Sequence, residues 1–113
     1  MPRPLPLLIL LALFATSQLQ AQETIGIRIA ALTSAERDAM VQLISDDDEL
    51  YVAFACVPAG ILVFSSRAGT ATRATLRAQA VSALQPVLAV ARIGTEDLTL
   101  QAAETACENA RGE

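Results

Sequence analysis

The sequence predicts an α+β fold: a two-layer sandwich of order βαββαβ with one further helix at its C-terminal end. Three observations carry that expectation. Residues 24–30 (T-I-G-I-R-I-A) alternate strictly, with Ile25, Ile27 and Ile29 on one face and Gly26 and Arg28 on the other. That is the pattern of a strand covered on one side. The apolar runs 50–57 and 61–64 flank V-P-A-G, with Pro58 second and Gly60 fourth, a composition suited to a type I turn between hairpin arms. Apolar residues at helical spacing then follow the first strand, the hairpin and the last predicted strand, so sheet and helix alternate along the chain.

Each element has its own local warrant. Thr33 with Glu36 three residues on forms a capping box, and Ala39, Met40, Leu43 and Ile44 share one face of the helix it starts. Asp46-Asp47-Asp48-Glu49 ends that helix, because four carboxylates near a helix C-terminus oppose its dipole. The run L-Y-V-A-F-A-C-V (50–57) is β-branched and aromatic enough for a buried strand, with Val52, Phe54 and Cys56 on one face. Residues 61–64 return as its partner and 65–69 read as a loop. Residues 70–85 form a second helix with Leu76, Ala80, Val81 and Leu84 inward, stopped by Pro86. Residues 87–93 (V-L-A-V-A-R-I) read as a fourth strand, the alternative being that they continue or cap the helix of another two-layer sandwich. Thr95 caps a last helix whose first turn carries Glu96 and Asp97. Leu100, Ala103, Cys107 and Ala110 make its apolar stripe. This order is the split βαβ pattern of ferredoxin-like folds.

The N-terminus has the anatomy of a secretory signal peptide over residues 1–21. Arg3 supplies the positive start, residues 5–15 are apolar apart from Pro6, and Leu19-Gln20-Ala21 suits a cleavage site. A spanning helix needs about 20 apolar residues, so an uncleaved anchor is the alternative and no stable span is expected after cleavage. Removing 21 of the 113 residues leaves 22–113 as a single 92-residue domain. The cut removes Arg3 alone among charged residues and takes the net charge from −4 to −5. An exported protein, periplasmic or extracellular, is expected. In such a compartment Cys56 and Cys107 are expected to form a disulfide, worth about 4 kcal/mol on the chain-entropy model; two buried free thiols are the alternative.

From Ile25 to Ile93 the chain resembles the heavy-metal-associated domains. The shared features are an I-x-I-x-I strand, a loop and helix, an acidic loop, a hairpin whose second arm reads G-I-L-V-F, then a helix and a closing strand. The resemblance implies the ferredoxin-like fold and a metal- or thiol-handling role in the periplasm. The family's M-x-C-x-x-C motif follows the first strand; here Ala31-Leu32-Thr33-Ser34 occupies that place, so no metal-binding residue carries over.

Composition excludes much chemistry. The chain has no His, no Lys and no Trp, and all eight basic residues are Arg. His-based triads, Schiff-base lysines and P-loop lysines are therefore impossible. The serines lack a base, and the pairs Glu36/Asp38 and Glu96/Asp97 are explained by helix first turns. The acidic run 46–49 misses the ligand spacing of a calcium loop, with Tyr51 at its glycine position. No enzyme activity, metal or other cofactor is expected. Charge is segregated: residues 50–95 hold Arg67, Arg73, Arg77 and Arg92 without an acid, while 22–49 and 96–113 carry −5 and −4. Arg73 and Arg77, one helical turn apart, are the candidate partner patch. Nucleic acid is disfavoured by the overall acidity and scarce aromatics. The expected function is protein binding or homo-oligomerisation, through the open sheet face beside Gly26 and Arg28 or through a sheet edge.

Overall fold

The computed structural model describes residues 23–112 apart from Asp48. Among them run β1 (Thr24–Arg28), α1 (Ser34–Ser45), β2 (Leu50–Cys56), β3 (Ile61–Ser66), α2 (Arg73–Leu84), a one-turn 3-10 helix (Val90–Arg92) and α3 (Leu100–Arg111). The signal-peptide assignment falls on residues 1–21, outside the described residues. The three strands form one antiparallel sheet in the order β1-β3-β2. Among the described residues the result is an α+β fold of three strands and three helices, and none of these helices is long and apolar enough to cross a membrane.

Local signals account for most boundaries. The Thr33–Glu36 capping box is complete, with both reciprocal bonds at 3.1 Å. The hairpin closes through the Gly60 amide to the Val57 carbonyl at 2.9 Å, with Gly60 at φ 68°, where a side chain is costly. Ser65 and Ser66 belong to β3 rather than to the expected loop: both are buried, and the Ser65 hydroxyl donates to the Glu23 carbonyl at 3.0 Å. On α1 only Met40 and Ile44 of the expected stripe are buried; Leu43 is exposed.

Two apolar layers lie on opposite faces of the sheet. The larger holds Ile25, Ile27 and Ile29 of the first strand region against Met40, Ile44, Leu62, Phe64, Leu76 and Leu84, which places α1 and α2 together on that face. The smaller holds Ile61, Val63, Leu98 and Ala103, with Phe54 and Leu100 packed on it, so α3 covers the other face. The face expected to be open is therefore occupied.

A β-bulge decides how β2 divides between these layers. Val52 pairs with Phe64 and Phe54 with Val63, leaving Ala53 without an opposite residue. An extra residue reverses the alternation. Val52 thus packs in the main core while Phe54 sits on the α3 side, correcting the single face expected for Val52, Phe54 and Cys56. Cys56, two residues beyond Phe54, shares the α3 side. Its bond to Cys107 (sequence separation 51) joins β2 to α3, and both residues are 2% exposed or less.

The expected fourth strand at 87–93 is not one. The amides of Val87 and Leu88 both return to the Leu84 carbonyl (3.0 and 2.9 Å), and Leu88 is buried in the main core. Residues 90–92 then make the 3-10 turn. Backbone bonding is spent locally, so β-branched content does not produce a strand. The chain meets the outer side of β1 only afterwards. Ile29 bridges Ile93, and Gly26 and Leu98 exchange both backbone bonds (2.7 and 2.9 Å). Leu98 is committed to that pairing, so the last helix starts later than expected. Its cap is Thr99, which accepts from the Ala102 amide at 3.0 Å, not Thr95.

Gly26 is required by this close approach. A Cβ there would stand 2.9 Å from the Leu98 Cβ and 3.1 Å from its carbonyl oxygen. Gly26→Ala is expected to push residues 93–98 off β1 and to cost about 1–3 kcal/mol, read from urea unfolding. Unchanged stability with a still-protected Leu98 amide would contradict the packing described.

Candidate functional site

The loop after β1, residues 29–33, leads into the capped start of α1. It is closed from within by one side chain. Arg92, carried on the 3-10 turn, donates to the carbonyls of Ala30 (2.9 Å) and Ala31 (3.0 Å), and its two terminal nitrogens meet both Glu36 carboxylate oxygens at 2.7 Å. A planar five-donor fork can make these bonds together; an ammonium cannot. Ala31 is held at φ 57°, the left-handed region that a Cβ disfavours. The fork thus restrains a loop whose own backbone conformation is unfavourable.

Glu36 serves two structures at once. It accepts from the Thr33 amide as the reciprocal half of the capping box and also from Arg92. The Arg92 hydrogen bonds first, and the Thr33 amide second, hold its carboxyl well below the usual range, at about 2. Arg92 shifts upward in return, through its bond to Glu36. An acid held ionised by a permanent cation is a poor general base or proton donor near neutrality.

Beside this clamp lies a cleft of about 450 Å³, open to solvent, between the end of β1, the hairpin turn and residues 91–94. Ile29, Leu32, Val57 and Ile93 give it apolar walls, and Arg28 lines it on one side. Arg28 faces Glu96 at 3.5 Å with both side chains largely exposed, a pair of small energetic weight.

Three further arginines are also held by the fold. Arg73 donates to the Thr24 carbonyl at 2.6 Å, tying α2 to the start of β1. Arg77 reaches the Gly94 carbonyl and the Asp97 carboxylate, each at 2.6 Å. The two therefore stand on one helix but point their donors at separate backbone segments. Arg67 donates to the carbonyls of Asp47 (2.8 Å) and Ile44 (3.5 Å) at the end of α1, where a cation offsets the dipole. This places one charge against the acidic run 46–49.

The acids proposed from sequence as adjacent pairs are separated by these arrangements. Glu36 faces Arg92, Asp38 faces Arg37, Glu96 faces Arg28 and Asp97 faces Arg77. Among the described residues no group of three or more His, Cys, Asp or Glu is placed to hold a metal, and both sulfurs are bonded to each other. Sequence reasoning treated Glu36 as a cap and Arg92 as a strand residue. The two residues stand 56 positions apart, so no local pattern signals their pairing.

Because the Glu36 carboxyl is depressed in the folded chain, its contribution to stability is complete above its unfolded value near 4.5 and is lost as pH falls toward about 2. The urea midpoint of wild type is expected to drop through that window by more than that of Glu36→Gln. Arg92→Lys should reproduce the flatter profile, because Lys cannot make the fork. Parallel pH profiles for wild type and Glu36→Gln would contradict the pairing.

In comparison with known proteins, no protein-family model, no curated protein and no solved structure matches the chain.

Proposed function

We propose that this protein is an exported, non-enzymatic domain of ferredoxin-like topology that works by protein–protein contact, through self-association along the outer edge of β2. The observation that carries the reading is the state of the sheet edges. The outer side of β1 is taken by residues 93–98, which pair with it at Gly26 and Ile29 where a fourth strand would run. On the opposite side β2 has, among the described residues, β3 as its one neighbour in the sheet.

The sequence of that edge supports pairing. Leu50–Cys56 (L-Y-V-A-F-A-C) contains no charge and no proline, whereas natural edge strands are commonly protected by both. Antiparallel pairing with a second copy would bring Glu49 opposite the apolar Val57–Pro58 end, so no like charges meet. Val41 of α1, 43% exposed, stands with Val52 at a shallow cleft beside the edge and would add apolar contact. A disulfide between Cys56 and Cys107 is consistent with an oxidising compartment, which supports export. The pairing of Glu36, Asp38, Glu96 and Asp97 each with an arginine supports a non-catalytic role.

Sedimentation of the oxidised protein across a hundredfold range of concentration tests this reading. A reversible dimer is expected, and Ala53→Arg at the exposed bulge should abolish it while leaving the far-ultraviolet dichroism unchanged. A monomer throughout the range, or a dimer insensitive to Ala53→Arg, would overturn it.

A further inference from the structure

We propose that α3 is a redox-controlled cover: reduction of Cys56–Cys107 by a dithiol releases α3 from the sheet and bares the face of Phe54, Ile61 and Val63, while the rest of the domain stays folded. This stands apart from the edge-pairing reading, because it concerns the sheet's second face and not its outer strand.

The two apolar layers are unequal and independent. The main core draws on α1, α2, all three strands and Leu88, and contains no residue of α3. It can therefore persist when α3 leaves. The second layer is thin, and what α3 contributes to it is small: Ala103 and Cys107 are its buried residues, with Leu100 and Ala106 partly buried. Small side chains bring a helix close to a sheet but remove little apolar area from water. Polar ties do not compensate. Among the described residues, α3 side chains make no hydrogen bond or ion pair with the sheet; the bonds at its ends, accepted by the Thr99 hydroxyl from the Ala102 amide and by the Glu108 carbonyl from the Gly112 amide, are local caps. The covalent link is thus the principal restraint on α3.

The bond is nearly covered, but one of its two residues borders solvent-filled space. Cys107 lines an open cleft of about 290 Å³ with Phe54, Glu104, Glu108 and Arg111, one turn before the end of the helix. The chemistry balances without a further reactant. A thiolate of the dithiol attacks the Cys107 sulfur, and Cys56 departs as a thiolate and takes a proton. The second thiol of the reagent then displaces Cys107 from the mixed disulfide. The protein gains two electrons and two protons as two thiols, and the dithiol becomes a disulfide. Glu104 and Glu108 outnumber Arg111 around the cleft, so the attacking thiolate is repelled and exchange is slow until these charges are removed.

Amide hydrogen exchange on the full chain, oxidised and after dithiothreitol, tests the proposal. Reduction should speed exchange in residues 103–111 on the order of a hundredfold and change Ile27, Leu62 and Phe64 by less than about threefold. The Cys56→Ser/Cys107→Ser chain should behave like the reduced one, with a matching rise in binding of an apolar dye. Glu104→Gln/Glu108→Gln should accelerate reduction of the oxidised form without altering its exchange pattern. Unchanged protection of α3 after reduction would overturn the proposal, as would loss of protection in β1 and β3 together with α3, or a reduction rate indifferent to the two carboxylates.

Discussion

The covalent bond between Cys56 and Cys107 is the constraint around which the second half of the chain is arranged. A helix facing the sheet with Ala103, Ala106 and Cys107 gains close approach but little burial, and a 51-residue separation makes its chance return to β2 entropically costly. The bridge removes that cost. With α3 fixed over Phe54 and Val63, the preceding segment must run along the outer side of β1. Gly26 is the position where that passage is tightest, with Leu98 in contact range of any added Cβ. Two features far apart in sequence, a side-chain-free strand position and a disulfide, thus express one geometric demand.

The exclusive use of arginine has a structural meaning. Arg67, Arg73, Arg77 and Arg92 each donate to at least one backbone carbonyl in a loop or at an element end. Irregular segments carry unpaired acceptors, and a guanidinium can satisfy two or three of them in a plane while still meeting a carboxylate. The segregated charge of the chain folds into the same scheme. The acid-free middle segment supplies the forks, and the acidic flanks supply Glu36 and Asp97 to receive them.

What could be read from sequence was whatever is encoded locally. The isoleucine alternation of β1, the Thr33–Glu36 box, the Pro58–Gly60 turn and the inner face of α2 each depend on residues within a turn or two of one another. The cysteine pair was legible from compartment and count. The misreadings arise where a distant partner decides. Ala53 carries no bulge signature, yet it moves Val52 and Phe54 to opposite faces. Residues 87–93 have strand-like composition, but Leu88 is drawn into the main core by the turn that follows α2. Thr95 and Thr99 are equally good caps until Leu98 pairs with Gly26. The α3 stripe was visible, but which face of the sheet it would meet was not. The Arg92 clamp was hidden for the same reason: its carbonyl acceptors are backbone atoms that no composition reveals.

The sheet is covered on both faces, with α3 held opposite α1 and α2 by the disulfide. Proton–proton cross-relaxation between methyl groups of the oxidised protein in solution tests it most directly. The Ala103 methyl should show contacts to Ile61 and Val63, and none to Met40 or Leu76, which belong to the other layer. Contacts from Ala103 to the Met40 or Leu76 methyls, or none to Ile61 and Val63, would contradict the account.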